Sequence, residues 1–79
     1  MEIEVRLYAT FRDLLPEGPY NFSLKKEVRE GTTLKELSSL LNLPEDIPKI
    51  FVVRGSIVDE NYVLKEGDIV SIFPPIAGG

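Results

Sequence analysis

Only one segment of the chain, "GTTLKELSSLLNLP" at residues 31–44, repeats its leucines at helical spacing; the other patterned segments read as strands. Leu34, Leu37, Leu40 and Leu41 fall on one stripe, which is expected to face the core. Thr33 and Glu36 stand in capping-box order, with the Thr33 hydroxyl able to accept from the Glu36 N–H and the Glu36 carboxylate able to reach back. Pro44 is expected to end the helix. One helix can cover only one face of a sheet, so the other face is left to solvent or to another protein.

The strands supply that sheet. Residues 2–8, "EIEVRLY", alternate strictly, with Ile3, Val5 and Leu7 on one face and Glu2, Glu4, Arg6 and Tyr8 on the other. "ATFRDLL" reads as a short helical turn and "PEGP" at 16–19 as a turn. "YNFSLKKEV" alternates again, with Tyr20, Phe22 and Leu24 opposite Asn21, Ser23 and Lys25, which predicts a hairpin with the first strand. "PEDIP" is connecting loop. "KIFVVRG" is a strand closed by Gly55, but "IFVV" has no polar residue to decide whether Phe51 or Val52 faces the helix. "SIVDENYVL" is a short extended segment, "KEGD" a polar turn centred on Gly67, and "IVSIF" at 69–73 the last strand. This order predicts an α+β roll, a mixed sheet with one main helix on one face. If Ser71 points outward, Ile69 and Phe73 share its face while Val70 and Ile72 point at the helix. Phe73 then either stands exposed beside the tail or folds back into the core.

Composition removes most chemistry. Seventy-nine residues, 43% hydrophobic, make one domain with a single core. Cysteine and histidine are both absent, which excludes disulfides, thiolate or imidazole metal sites, a cysteine nucleophile and a histidine base. The 13 acidic residues are spread along the chain without a metal-like cluster and are expected to be solvated surface charge. A net charge of −4 with no basic run argues against nucleic acid and for docking on a basic protein surface. No stretch is long enough to span a membrane, and "MEIEVRLY" lacks the pattern of a signal peptide, so a cytoplasmic protein is expected.

The chemistry left is that of the last residues, "FPPIAGG". Pro74 and Pro75 cannot donate to a ladder, so pairing must stop at Phe73, and their fixed φ sends the chain into a stiff extended course. Residues 74–79 reach at most ~20 Å, enough to enter another protein's cleft. Gly78 and Gly79 lack a Cβ, so the terminal carboxyl can pass a constriction and approach a reacting group. The reactive group is expected to be the Gly79 carboxylate, made electrophilic by transfer to AMP, with catalysis supplied by a partner.

"KEGDIVSIFPPIAGG", together with the opening "VRLYATFRDLL", resembles the small subunits of molybdopterin synthase and their relatives among the ubiquitin-like sulfur carriers. The "GD" turn, final strand and Gly-Gly end are shared with the thiamin sulfur carriers, and the proline pair is more like the molybdopterin members. The resemblance implies a β-grasp (ubiquitin-like) domain over residues 1–73 and an extended tail over 74–79. It implies that Gly79, preceded by Gly78, is adenylated by a ubiquitin-activating-type enzyme that uses ATP. The product would be a thiocarboxylate, its sulfur drawn from a persulfide donor. Phe73, Pro74, Pro75, Ile76 and Ala77 would contact the large subunit of the synthase, where the thiocarboxylate attacks a pterin precursor. On this reading the chain binds no cofactor or metal itself and is a non-catalytic, sulfur-donating subunit. The same tail chemistry admits a thiamin-type carrier, a protein modifier joined through Gly79 to lysines, and a binding module whose Gly-Gly end is incidental.

Overall fold

The computed structural model describes residues 1–8 and 23–75. The expected helical turn at 9–15, the turn at 16–19, Tyr20, Phe22 and the residues from Ile76 to Gly79 lie outside the described residues. Within them the order is β1 (Glu2–Leu7), β2 (Ser23–Glu27), α1 (Leu34–Leu40), β3 (Ile50–Val53), β4 (Ser56–Val58) and β5 (Ile69–Phe73). The strands form one sheet in the order β2-β1-β5-β3-β4. β1 and β5 run parallel; the other neighbours are antiparallel. This is the α+β roll expected from the sequence.

Register follows from which side chains must leave water. Val5 stands beside Leu24 on β2 and beside Val70 on β5, and Ile72 stands beside Phe51 on β3. One sheet face therefore carries Ile3, Val5, Leu7, Val70, Ile72, Phe51 and Val53, all buried with Leu34 and Leu37 of the helix. The parity left open in "IFVV" is settled by this register: Phe51 and Val53 point to the core and Val52 to the outer face. Each fully buried Leu or Ile contributes about 2 kcal/mol.

The helix is seven residues long, too short to persist alone, and its ends are closely satisfied. Thr33 Oγ1 accepts from the Glu36 N–H at 3.2 Å and Glu36 Oε1 accepts from the Thr33 N–H at 3.1 Å, the expected capping box. The Leu34 and Lys35 N–H groups donate to the carbonyls of Tyr62 and Glu60. At the other end Asn42 adopts φ 58°, with Asn42 N–H donating to Ser39 and Leu43 N–H to Ser38. This paired arrangement, not Pro44, stops the helix; the proline only follows it.

The leucine stripe is corrected at its far end. Leu34 and Leu37 are buried as expected, but Leu40 is 54% exposed, and the buried leucine at this end is Leu43. Leu41 packs against the buried cluster as expected, and reversal of the chain at Asn42 adds Leu43 to that cluster. Buried Ser38 donates its hydroxyl to the Leu34 carbonyl at 3.0 Å and so carries no unsatisfied polar group into the core.

Candidate functional site

The expected site residues fall into two groups. Gly78, Gly79, Ile76 and Ala77 lie outside the described residues. Phe73, Pro74 and Pro75 are described, and their setting is built by the last rungs of the sheet. Phe73 ends β5, pairs with Ile50 on β3, and turns its ring to the outer face. Of the two courses open to it, the ring follows the outer one and does not fold back into the core. It is half-buried because it stacks on Tyr8, with centroids 4.3 Å apart and ring planes 14° from parallel. The Tyr8 N–H donates to the Ile72 carbonyl at 3.2 Å, which extends the β1–β5 ladder one step beyond β1. Pro74 and Pro75 then leave the sheet, since neither can donate to a ladder.

The outer face divides into two halves. Over β2 and β1 it is charged: Glu2 beside Glu27, Glu4 beside Lys25, and Arg6 beside Ser23. Arg6 Nε lies 2.7 Å from Glu4 Oε2. The hydrogen bond and charge of Glu4 raise the Arg6 pKa further above its ordinary value, with a smaller share from Tyr8. Over β5, β3 and β4 the face is apolar. Ile69 and Phe73 lie on one strand, Ile50 and Val52 on the next and Ile57 on the edge, with Ser71 among them. Ile57 is 77% exposed and Ile69 43%. Isolated exposed apolar residues need no explanation, but exposed Ile57 and Ile69 together with half-buried Ile50, Val52 and Phe73 on one face form a surface suited to another protein.

That patch was only partly anticipated. Alternation from Ser71 gives Ile69 and Phe73. Ile50 and Val52 required the register of β3 on β5, and Ile57 required knowing that Arg54 and Gly55, at φ 54° and 79°, form a two-residue turn that pairs it with Val52. The "RG" dipeptide before "SIV" was the available signal.

The "GD" turn lies at the opposite end of β5 and is a structural lock. The Asp68 N–H donates to the Lys65 carbonyl at 3.0 Å across Gly67 at φ 80°, a conformation that suits glycine. The Gly67 N–H donates to the Glu2 carbonyl, and the Glu4 N–H to the Asp68 carbonyl, stitching the turn to β1. Asp68 itself is 1% exposed, which corrects its assignment to solvated surface charge. Its Oδ2 accepts from the Lys65 N–H at 2.9 Å and the Tyr62 hydroxyl at 3.0 Å, while Oδ1 lies 3.2 Å from Arg54 Nη2. That last contact is an ion pair without hydrogen-bond geometry, so Oδ1 has no hydrogen-bond donor. Burial, then the hydrogen bond to Asp68, raises the Tyr62 pKa above its ordinary value.

Among the described residues no group of carboxylates is placed to hold a metal ion, and no helix is long and apolar enough to cross a membrane. Two open grooves flank α1. One is lined by Lys35, Leu43, Pro48 and Phe51, the other by Val28, Thr32, Glu36 and Leu40; neither includes Tyr8, Phe73, Pro74 or Pro75.

Comparison with known proteins gives the fold and the family. Small archaeal modifier protein 3 of Haloferax volcanii is 28% identical over 92 aligned positions that span the whole of both chains. A Haloferax volcanii protein solved in solution superposes with TM-score 0.78 at 29% identity, covering 100% of this chain and 87% of its own. A chain of the complex between subunits 1 and 2 of molybdopterin-converting factor from Helicobacter pylori superposes with TM-score 0.64 at 24% identity, each chain covered in full. The fold is the ubiquitin-like β-grasp. Residues 5–79 match the ThiS family model, a span that takes in all of β5 and the Gly-Gly end, and the chain belongs to the ThiS family of ubiquitin-like sulfur carriers.

Proposed function

We propose that this chain is the sulfur-donating small subunit of a molybdopterin synthase, and that the Gly79 carboxylate is its working group. The observation that supports this most is the exit of β5: Phe73 on the outer face, an apolar patch around it, and two prolines directing the chain toward Gly-Gly. Family membership supports a sulfur-transfer chemistry at that group. ATP transfers AMP to the Gly79 carboxylate, and pyrophosphate leaves. The terminal sulfur of a persulfide attacks the carbonyl carbon, and AMP leaves. A thiol then cleaves the acyl disulfide, giving the Gly79 thiocarboxylate and a protein disulfide. The thiocarboxylate sulfur attacks a carbon of a pterin precursor within the large subunit and displaces an oxygen leaving group from it; water then cleaves the resulting thioester at the Gly79 carbonyl, leaving the sulfur on the pterin as a thiol and returning the carboxylate.

In this scheme the β-grasp body holds and delivers. Phe73, Ile50, Val52, Ile57 and Ile69 dock on the large subunit, and Pro74, Pro75, Ile76 and Ala77 thread Gly78 and Gly79 into its cleft. The adenylating enzyme, which uses ATP, and the persulfide donor are separate cytoplasmic proteins. The Helicobacter pylori complex of two converting-factor subunits supports a large-subunit partner of this kind. Intact mass of the chain made beside its own activating enzyme tests the proposal. A species with one oxygen exchanged for sulfur, on the peptide ending at Gly79, is expected. Failure to find it in active cells would remove the proposal.

A second reading has its own support: the full-length similarity to a small archaeal modifier protein suggests conjugation through Gly79 to lysines of other proteins. The adenylation step is shared, and only the acceptor differs. Co-purification of a synthase large subunit favours the first reading. Gly-Gly remnants on lysines after proteolysis favour the second.

A further inference from the structure

We propose that the free edge of β4 is a second docking site, which takes a short extended segment of a basic protein partner as an added strand. The site is independent of the chemistry proposed for Gly79 and serves whichever acceptor the tail has.

Hydrogen-bond parity across the sheet leaves Ile57 facing out. The Glu4 N–H donates to the Asp68 carbonyl and the Tyr8 N–H to the Ile72 carbonyl, so these two carbonyls, on the same parity, turn toward β1. Ser71 therefore turns its backbone groups the other way, toward Val52 of β3. The neighbours of Val52 then bond to β4, Val53 with Ser56 and Phe51 with Val58, which leaves the N–H and carbonyl of Ile57 pointing away from the sheet. β4 is the last strand of the sheet, and neither group has a partner among the described residues. Its sequence, "SIV", holds no lysine or proline, two of the guards that commonly keep an edge from pairing. Its three residues restrict an added strand to a short one.

Both faces beside that edge are apolar. A residue added opposite Ile57 sets its side chain next to Ile57 on the outer face, and its neighbour, opposite Val58, falls on the inner face. There Leu43, Ile47, Pro48, Phe51 and Val58 line an open groove. Main-chain bonds to Ile57 supply attachment, and the alternating side chains supply selectivity. The rim selects charge. Glu45, Asp59 and Glu60 stand exposed around the groove, and none forms an ion pair among the described residues. Of the two lysines on this rim, Lys49 donates its ammonium to the carbonyls of Pro44 and Ile47, which leaves Lys35 to face three carboxylates. On a chain of net charge −4 such a rim draws Lys and Arg. A second copy of this chain would set a second Glu45, Asp59 and Glu60 against the first, so self-pairing is disfavoured and a basic partner fits.

The test titrates the whole isotope-labelled chain with three end-blocked peptides and reads its amides by NMR. The peptides are KRVIVRK, its acidic counterpart EDVIVDE, and KRVIVRK with the central isoleucine N-methylated. KRVIVRK is expected to shift the resonances of Ser56, Ile57, Val58 and Phe51 and, at saturation, to slow exchange of the Ile57 amide about tenfold. N-methylation removes the donor that meets the Ile57 carbonyl while keeping every side chain, and is expected to weaken binding about tenfold. EDVIVDE is expected not to bind. Glu45→Lys combined with Glu60→Lys is expected to weaken binding of KRVIVRK about tenfold at low salt. An unperturbed Ile57 amide, equal binding of the N-methylated peptide or equal binding of EDVIVDE would each overturn the proposal. Shifts confined to Ile50, Val52 and Ile69 would place the peptide on the outer face and overturn it as well. The peptide arms use the wild-type chain, so they decide the matter even if the double variant fails to fold. No activating enzyme or large subunit is present, so the outcome is separate from that of the Gly79 mass measurement.

Discussion

The phenol of Tyr62 donates a 3.0 Å hydrogen bond to the buried carboxylate of Asp68, and the same oxygen closes the 65–68 turn through the Lys65 N–H. A carboxylate this deeply buried is tolerated because its charge is met by donors and by Arg54. Asp68→Ala strands those donors, and the expected loss is about 3 kcal/mol of stability. Tyr62→Phe leaves the Lys65 bond in place and is expected to cost about 1 kcal/mol. Chemical denaturation of the two variants checks the ranking.

The same pair makes stability depend on alkaline pH. In the folded chain the Tyr62 pKa is raised, first by burial and then by the Asp68 bond. As pH rises past ~10, the ordinary tyrosine value, the unfolded chain loses this proton while the folded chain keeps it. The unfolded state then binds fewer protons, so stability falls with rising pH. The contribution is fully present below the ordinary value and lost on passing the raised one. Urea unfolding from neutral pH upward should therefore show a steeper alkaline decline in wild type than in Tyr62→Phe. Parallel curves would contradict the assignment.

Arg54 sets two effects against each other. Its φ of 54° in the β3–β4 turn costs a non-glycine residue about 1 kcal/mol, yet its guanidinium faces the otherwise undonated Oδ1 of Asp68. Arg54→Gly relieves the backbone and leaves a buried charge without its counter-ion. Because the Arg54 side chain is 67% exposed and the Asp68 side chain fully buried, the loss falls mainly on Asp68. Arg54→Gly is expected to destabilise wild type and to stabilise the Asp68→Asn background by up to about 1 kcal/mol. A double-mutant cycle by thermal unfolding reads the sign change.

How far the sequence foretold these features depends on how local their causes are. Alternation in "EIEVRLY" and "IVSIF" placed Ile3, Val5, Leu7, Val70 and Ile72 correctly, because side chains on a strand change face at every residue whatever lies beside it. The Thr33–Glu36 capping box was legible for the same reason: both partners lie within one turn. Leu40 was misassigned because, at about 100° per residue, it falls roughly 120° round the helix from Leu34, off the stripe shared by Leu34, Leu37 and Leu41, and Leu43 was missed because periodicity does not reveal where a helix stops. The stop lies in the left-handed backbone of Asn42, a conformation asparagine permits without announcing. Asp68 and the apolar face required tertiary information. Nothing in "KEGD" says that its last carboxylate turns inward toward Tyr62 and Arg54, and nothing in "IFVV" orients Val52 until β3 is in register with β5. Phe73 was placed on the outer face, but Tyr8 and Phe73 are 65 positions apart, and only the parallel pairing of β1 with β5 brings their rings together.

The apolar outer face should behave as an interface without bearing on the fold. Ile57 is the most exposed member, at the edge of the sheet, so Ile57→Lys is expected to leave the melting temperature nearly unchanged while weakening large-subunit binding about tenfold or more. Phe73→Ala should weaken binding at least as much and also cost about 1 kcal/mol of stability through loss of the Tyr8 stack. Titration calorimetry with the large subunit, beside thermal melts of the free chain, separates the two quantities. Unchanged binding by Ile57→Lys would move the docking surface elsewhere.

The terminal carboxylate should be sensitive to length in a way the folded body is not. Deleting Gly79 withdraws the proposed reactive carbon by about 3.5 Å, and adding one residue after it advances the carboxylate and burdens it with a side chain unless that residue is glycine. Near-attack geometry tolerates much less than that distance, so either change is expected to lower thiocarboxylate and product formation by at least a hundredfold. Neither touches the buried cluster of Ile3, Val5, Leu34, Leu37 and Ile72, so melting temperatures should match wild type. Sulfur incorporation is read by intact mass and product by pterin assay with the large subunit. Adding a glycine after Gly79 is the sharper test because it changes position alone: full activity from that chain would mean that the partner cleft reads the Gly-Gly flexibility and not the distance from Phe73.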